Sequence, residues 1–545
     1  MYKNIFSLIL ILYTMAAAFA QPPQVDLTFN GNGRSVIEFT PNTDTVSEVL
    51  FQSTGKIVLA GTSNKDTFST AQTSYFALTR LNTDGTLDTT FGNQGKVSTD
   101  FSPLAHQDDV YAAALQPDDK IVLAGFIHIT QGGNLLWAVM RFNPDGSVDN
   151  SFGTDGKVTL SLVGSPSNQA YAVTVAPSGE LVVAGTYWNG NSLQTGVVRL
   201  SSTGSVLGTM TNFQDTGAGG YNRPNAVRVQ PDGKIVTGGY FNPGGQNVYN
   251  IKLVRFNPDG SPDTSFGTGG AVWENAGINE VINDIELQPD GRIVACGTRS
   301  NDFLVMRFLP NGQLDPSFGT NGRAVTSFSS SYAIPEMVVR PNGKILLAGR
   351  SVNNIAVAYY NADGSPDTSF NGTGKLVFNF PIGQFVIPAD VAVDNVGRVV
   401  LGGASSENLS SAAFAATRLK SLDVFPVTVS GRAVTPGGIP IRNVRVGLTD
   451  SYGVTRWALT SAFGGFQFDN ILTGQTCNVF VRGSKTHFFE AVDVGVTGAV
   501  NNIELVGIPR TESGLVLRGQ SSQEPLTAGK SSPIRKEGKL PRVKN

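Results

Sequence analysis

The chain has 545 residues, too many for one ordinary domain unless a repeat architecture carries it. Its 40 Lys and Arg against 42 Asp and Glu give a net charge of −2, so no global field draws it to nucleic acid or a membrane surface. With 15% charged residues, 63 Gly and 32 Phe, the composition suits many short strands joined by tight turns rather than helices.

Residues 1–20 have the pattern of a secretory signal peptide. Lys3 gives the positive start, Ile5 to Tyr13 is an apolar run, and Ala18-Phe19-Ala20 is a small-x-small site that places cleavage between Ala20 and Gln21. The run is too short to span about 30 Å of hydrocarbon, and no later segment is apolar enough to cross a bilayer. No Cys follows the site to carry a lipid. The expected location is secreted, cell-surface or periplasmic. Only Cys296 and Cys477 are present, and they read as buried small apolar residues rather than a disulfide.

From residue 25 to 422 one short stretch recurs seven times, clearest in Lys120-Ile121-Val122-Leu123-Ala124-Gly125. The residue heading each run is Lys56, Lys120, Glu180, Lys234, Arg292, Lys344 and Arg398. In the second copy the expected strands are Lys96–Phe101, Val110–Gln116, Lys120–Gly125 and Leu136–Phe142. Near-continuous apolar runs predict sheets covered on both faces.

Two joints keep their length. One is the turn before the head residue, as in Gln230-Pro231-Asp232-Gly233, where Pro presets φ and Asp-Gly tolerates the tight positions. The other runs eleven residues from Arg80 to Phe91, Arg141 to Phe152, Arg255 to Phe266, Arg307 to Phe318 and Tyr359 to Phe370, with Arg199 to Met210 in a degenerate third copy. The other two joints vary, from 24 to 29 residues and from 15 to 24. Because joints alternate ends in an up-and-down sheet, both fixed joints fall on one face and both variable joints on the opposite one.

Sheets of this size bury both faces by stacking radially. The expected fold is therefore all-β: a seven-bladed β-propeller of four-stranded blades at 25–422, with an open β-solenoid as the rival. The string Asn-Pro-Asp-Gly-Ser-x-Asp-x-Ser-Phe-Gly, then Gly-Lys-Val, then Gln-Pro-Asp-Gly-Lys-Ile-Val-Leu-Ala-Gly resembles the delta-60 repeat family of bacterial exported proteins. That resemblance implies β-propeller repeats and no established shared activity. Asp26-Leu27-Thr28-Phe29 supplies the joint that the last copy lacks after Leu419, which predicts ring closure.

After Leu422 the pattern changes to period-two strands with Gly and Pro turns, fitting a small β-sandwich at 428–508. Val429-Ser430-Gly431-Arg432-Ala433-Val434 and Gly464-Gly465-Phe466-Gln467-Phe468 are similar to the carboxypeptidase regulatory-like domain. The resemblance implies a prealbumin-like, carbohydrate-binding-like fold and no peptidase activity. Residues 509–545 read as a disordered basic tail.

Chemistry is sparse. Asn143, Asp145 and Asp149 suggest a calcium loop, but Gly146 comes too early for the chain to wrap an ion, so turn chemistry is expected, with Arg141 and Asp149 pairing. His487-Phe488-Phe489-Glu490 has the spacing of a zinc pair, yet only His106 and His128 remain as further His ligands. No metal or cofactor is expected. Residues shared by seven copies serve the scaffold, so ligand contact is expected among His106, Asp108, Asp109, Tyr187, Trp188, Tyr221, Arg223, Arg299 and Arg350 on the variable face.

The leading expectation is an exported, non-catalytic binding or scaffold protein, monomeric, engaging protein or glycan. One alternative is a secreted hydrolase or lyase in the central funnel, which predicts two or more carboxylates or a metal at the axis. Another is a purely structural spacer.

Overall fold

The structure is a computed structural model. It describes residues 25–39, 43–64, 74–101, 108–128, 134–211, 220–244, 248–274, 277–328, 335–352, 354–378, 385–394, 397–408, 411–420, 426–449, 455–472, 475–482, 486–496 and 500–509. Two compact units emerge, one containing Met1–Val427, the other Thr428–Asp469, Cys477–Val494 and Val500–Asn545. The signal, its Ala20–Gln21 site and the basic tail after Pro509 lie outside the described residues. The only helical pieces among the described residues are two short 3₁₀ turns, and no helix is long and apolar enough to cross a membrane.

The described part of the larger unit consists of seven four-stranded antiparallel sheets. In the first, Thr45–Phe51, Ile57–Asn64, Ser74–Leu81 and Lys96–Thr99 follow one another in sequence and in space. The third and fourth are joined by one parallel pairing, Leu193 with Tyr221. The seventh takes its outer strand from the N-terminus: Arg34–Ile37 pairs with Phe414–Thr417.

One grouping differs from expectation. Lys96–Thr99 pairs with Phe76–Thr79 and closes the first sheet rather than opening the second. The eleven-residue joint is the cause, because it folds the chain back on itself: Asp88 N–H donates to Arg80 O at 2.9 Å, and Leu81 bridges Leu87. The joints still alternate ends, so the fixed and variable faces stand as read.

Each sheet packs on the next. Phe91 of the first sheet lies with Leu123 and Phe142 of the second, and Phe152 lies with Val183 and Leu200 of the third. The sequence of packing is cyclic, since Val400 and Phe414 of the seventh sheet share a core with Val49 and Leu59 of the first. The predicted two-sided coverage holds, as Ile121 to Ile127 are all buried.

The fixed joints staple neighbours. Arg141 Nε meets Asp149 Oδ2 at 2.7 Å, its guanidinium lies 4.6 Å over the Phe152 ring, and Nη1 donates to Ser202 O of the next sheet at 2.6 Å. Arg80, Arg255 and Arg307 repeat this toward Pro144, Pro310 and Ala362. Gly146 closes the space between sheets: at φ +89, a Cβ there would sit 2.8 Å from Phe91. The acidic residues are occupied by turns, with Asp145 and Asp149 each accepting from the N–H and hydroxyl two residues on.

The second unit holds two four-stranded sheets. One contains Gly465–Leu472, Pro426–Val434, Val500–Pro509 and His487–Phe489; the other contains Thr455–Leu459, Arg445–Thr449, Gln475–Val481 and Val492–Val496. Val429, Val446, Leu448, Phe466 and Leu505 are buried there. Both cysteines are buried thiols.

Candidate functional site

The first strand of each of the seven sheets lines one cavity of about 420 Å³. In six of them the register slips by one residue, at Ser47, Tyr111, Tyr171, Asn225, Asn283 and Ala389. A bulge bends the strand and re-aims side chains. It also explains the Gly that ends five of the Lys-Ile-Val-Leu-Ala-Gly runs. A Cβ on Gly125 would lie 1.8 Å from Asp109 O, and Gly61, Gly185, Gly239 and Gly297 meet the same carbonyl approach.

The residue eight positions before the head residue, which follows the bulge in those six copies, is Glu48, Ala112, Ala172, Ala226, Asp284, Glu336 and Asp390 in turn. Four carboxylates therefore occupy consecutive sheets, the fifth, sixth, seventh and first, and three alanines the rest. Arg228 of the fourth sheet reaches across, its Nη2 3.0 Å from Asp284 Oδ1 and 2.7 Å from Glu286 Oε1.

These carboxyls sit deep in the protein though open to the cavity, and burial raises their affinity for protons. Burial, then the neighbouring Asp390 and Glu336, pushes Glu48 well above the ordinary range. Burial also raises Asp390, against hydrogen bonds from Val49 N–H at 2.7 Å, from Glu48 and from Val391 N–H at 2.6 Å. Burial pushes Asp284 up to about 7 despite Arg228, and Glu336 is raised by burial and by Asp284. Among the described residues no group of three or more His, Cys, Asp or Glu is arranged to hold a metal ion.

Toward the variable face, Tyr111 and Tyr171 of this lining meet an arginine that stands beside the cavity. The Arg223 guanidinium lies 3.9 Å from the Tyr171 ring centre and 5.7 Å from that of Tyr111, whose rings are themselves 4.9 Å apart. Tyr221 stacks on Tyr240 at 5.8 Å, and Tyr240 meets Tyr249 edge-on at 5.0 Å. Burial pushes Tyr221 and Tyr240 up to about 12, so their hydroxyls keep their protons. Arg223 Nε has no hydrogen-bond partner, and no carboxylate among the described residues forms an ion pair with Arg223.

Of the residues singled out in the sequence, Tyr221 and Arg223 come together here. Asp109 accepts a 3.3 Å hydrogen bond from Ser74 and sits near Tyr111, raising the Tyr111 pKa along with burial. Asp108 is buried and accepts a hydrogen bond from Phe101 N–H at 2.8 Å. Tyr187 is inside the core, donating to Thr211 O at 2.6 Å, while Trp188 is partly exposed. Arg299 pairs with Glu280 at 3.3 Å, and Arg350 donates to Val352 O. His106 lies outside the described residues. His487 is on a strand of the second unit.

Six segments, 52–91, 116–152, 176–206, 230–266, 288–318 and 340–370, match the family described as domain of unknown function (DUF5122) beta-propeller. The chain carries β-propeller repeats. No curated protein matches the sequence. Among solved structures, a protein of unknown function from Dyadobacter fermentans is similar at 14% identity and a TM-score of 0.41, over 71% of this chain and 97% of that one. The polysaccharide lyase Uly1 is similar at 11% and 0.43, over 69% and 90%. The PQQ-bound aldose sugar dehydrogenase of Streptomyces coelicolor is similar at 11% and 0.37, over 57% and 94%. Likenesses at this level assign no chemistry.

Proposed function

We propose that these repeats close as a seven-bladed β-propeller, followed by a prealbumin-like β-sandwich, in an exported, non-catalytic binding protein. Its ligand, a glycan or a protein segment, docks on the variable face over the mouth of the axial cavity. One observation carries this reading. Otherwise equivalent inner strands differ in what they present, and Tyr111 and Tyr171 of the cavity lining gather with Tyr221 and Tyr240 around Arg223. Aromatic faces beside polar tips give contact area at low entropic cost, the usual make-up of a recognition surface.

Glycan and peptide arrays probed with the mature chain test the proposal. Binding that is lost with Tyr111→Ala and Tyr171→Ala supports it; no binding above background, with turnover found instead, overturns it.

A second reading, a secreted hydrolase or lyase, is favoured by Glu48, Asp284, Glu336 and Asp390 around the cavity. Carboxyls whose proton affinity is raised by burial, Asp284 to about 7, suit general acid–base work. Release of new chain ends from polysaccharides, abolished by Glu48→Gln and Asp284→Asn, would establish it; no release from any polysaccharide tested removes it.

A further inference from the structure

Resting on the binding reading, we infer that Arg223 is the receptor for a carboxylate on the ligand, and that the ligand is a uronic-acid-bearing saccharide. The Arg223 guanidinium is packed 3.9 Å from the Tyr171 ring centre, so less freedom is lost when it grips a planar carboxylate. Its Nε is buried and unpartnered, whereas Arg141, Arg255 and Arg307 spend theirs on an aspartate of their own joint. An arginine with a donor to spare, in a wall of protonated phenols, has the chemistry of an anion site that the protein leaves for something else to fill.

Farther in, the lining turns to acceptors. The one cation among the described residues of that lining, Arg228, is already paired with Asp284 and Glu286, so a second anion finds no partner there, while the carboxyls match the hydroxyls of a sugar. One carboxylate at the mouth and uncharged hydroxyls within describes a uronate residue better than an acidic peptide. The peptide would bring several carboxylates and no row of hydroxyls. The cavity, at about 420 Å³, is in the range of small-ligand pockets.

The test is calorimetric titration of the full mature chain. The probes are a uronate trisaccharide, its carboxyl-reduced counterpart, a sulfated neutral trisaccharide and an acidic peptide. The uronate is expected to bind at least about tenfold more tightly than the reduced sugar, as one charge-assisted hydrogen bond requires. That preference is expected to vanish in Arg223→Gln and survive in part in Arg223→Lys. Thermal unfolding of each variant checks that it is folded, and Tyr111→Ala, at a half-exposed ring, replaces Arg223→Gln if the latter fails.

Equal binding of acid and reduced sugars, or an undiminished preference in Arg223→Gln, overturns the inference while leaving the binding function intact. Preference for the sulfated sugar or the peptide also overturns it. No binding of any probe or array ligand overturns both.

Discussion

Arg418 donates through Nε to Asp26 Oδ2 at 2.9 Å, joining residues 392 positions apart. It also donates to Thr83 O of the first sheet and lies 4.8 Å over Phe29, the arrangement that Arg141 makes within its own joint. The N-terminal segment therefore completes the seventh sheet and its joint. Removing residues 25–39 strips that sheet of its outer strand and exposes an edge, so the truncated chain is expected to aggregate on purification. Asp26→Asn alone is expected to cost about 1–3 kcal/mol, read as a lowered Tm. An unchanged Tm would mean that the closure carries no strain of assembly.

The third copy departs from the rest by exchanging charges. Where five other copies pair a head Lys or Arg with the joint aspartate, as Lys56 does with Asp88 at 2.7 Å, Glu180 supplies the carboxylate to Arg199 at 2.6 Å. Leu207 stands where the aspartate would be and is exposed. Glu180→Lys is expected to destabilise by about 1–2 kcal/mol, and adding Leu207→Asp to restore most of it. Additive effects in the double variant would contradict the exchange.

Gly125 is fixed by the bulge opposite it, since any Cβ would collide with Asp109 O. Gly125→Val is expected to lower stability by about 2–4 kcal/mol and to weaken ligand binding, because straightening the bulge turns Tyr111 away. Unaltered unfolding would show that the bulge can be removed without cost.

The two carboxylate populations pull stability in opposite directions with pH. In the joints, burial raises Asp149, but bonds from Ser151, with Lys120 and Arg141 beside it, outweigh burial and hold it well below the ordinary range. Such groups stabilise above about pH 4 and lose that contribution as pH falls. The cavity carboxyls are raised, Asp284 to about 7, and so is buried Asp108, to about 7. They bind more protons folded than unfolded, so their contribution is full below about pH 4 and is lost as pH rises through about 7. Scanning calorimetry is expected to show Tm falling from pH 5 to pH 8, less steeply in Asp284→Asn. A Tm that rises across this range would contradict the raised values.

Much of the scaffold was legible because its joints are constant in length. A joint held to the residue must be packed, and the Arg141–Asp149 pair is that packing. The phase of the strands was not legible, since Lys96–Thr99 abuts both sheets in sequence and only the fold-back of the joint assigns it. The cavity carboxylates left a signal that repeat comparison passes over: Glu48, Asp284, Glu336 and Asp390 share a column with three alanines, and attention to loop lengths does not reach it. Tyr187, grouped with Trp188 on the variable face, lies instead within the strand Leu181–Trp188 and is buried, while Trp188 is partly exposed. Tyr111 and Tyr171 escaped because a bulged residue breaks the alternation that would place it.

The most direct measurement is a carbene footprint of the mature chain with and without a saturating uronate trisaccharide. The account predicts protection centred on Tyr111, Tyr171 and Tyr221. Protection confined to the fixed-joint face or to residues 428–509, with those tyrosines equally labelled in both states, would contradict it.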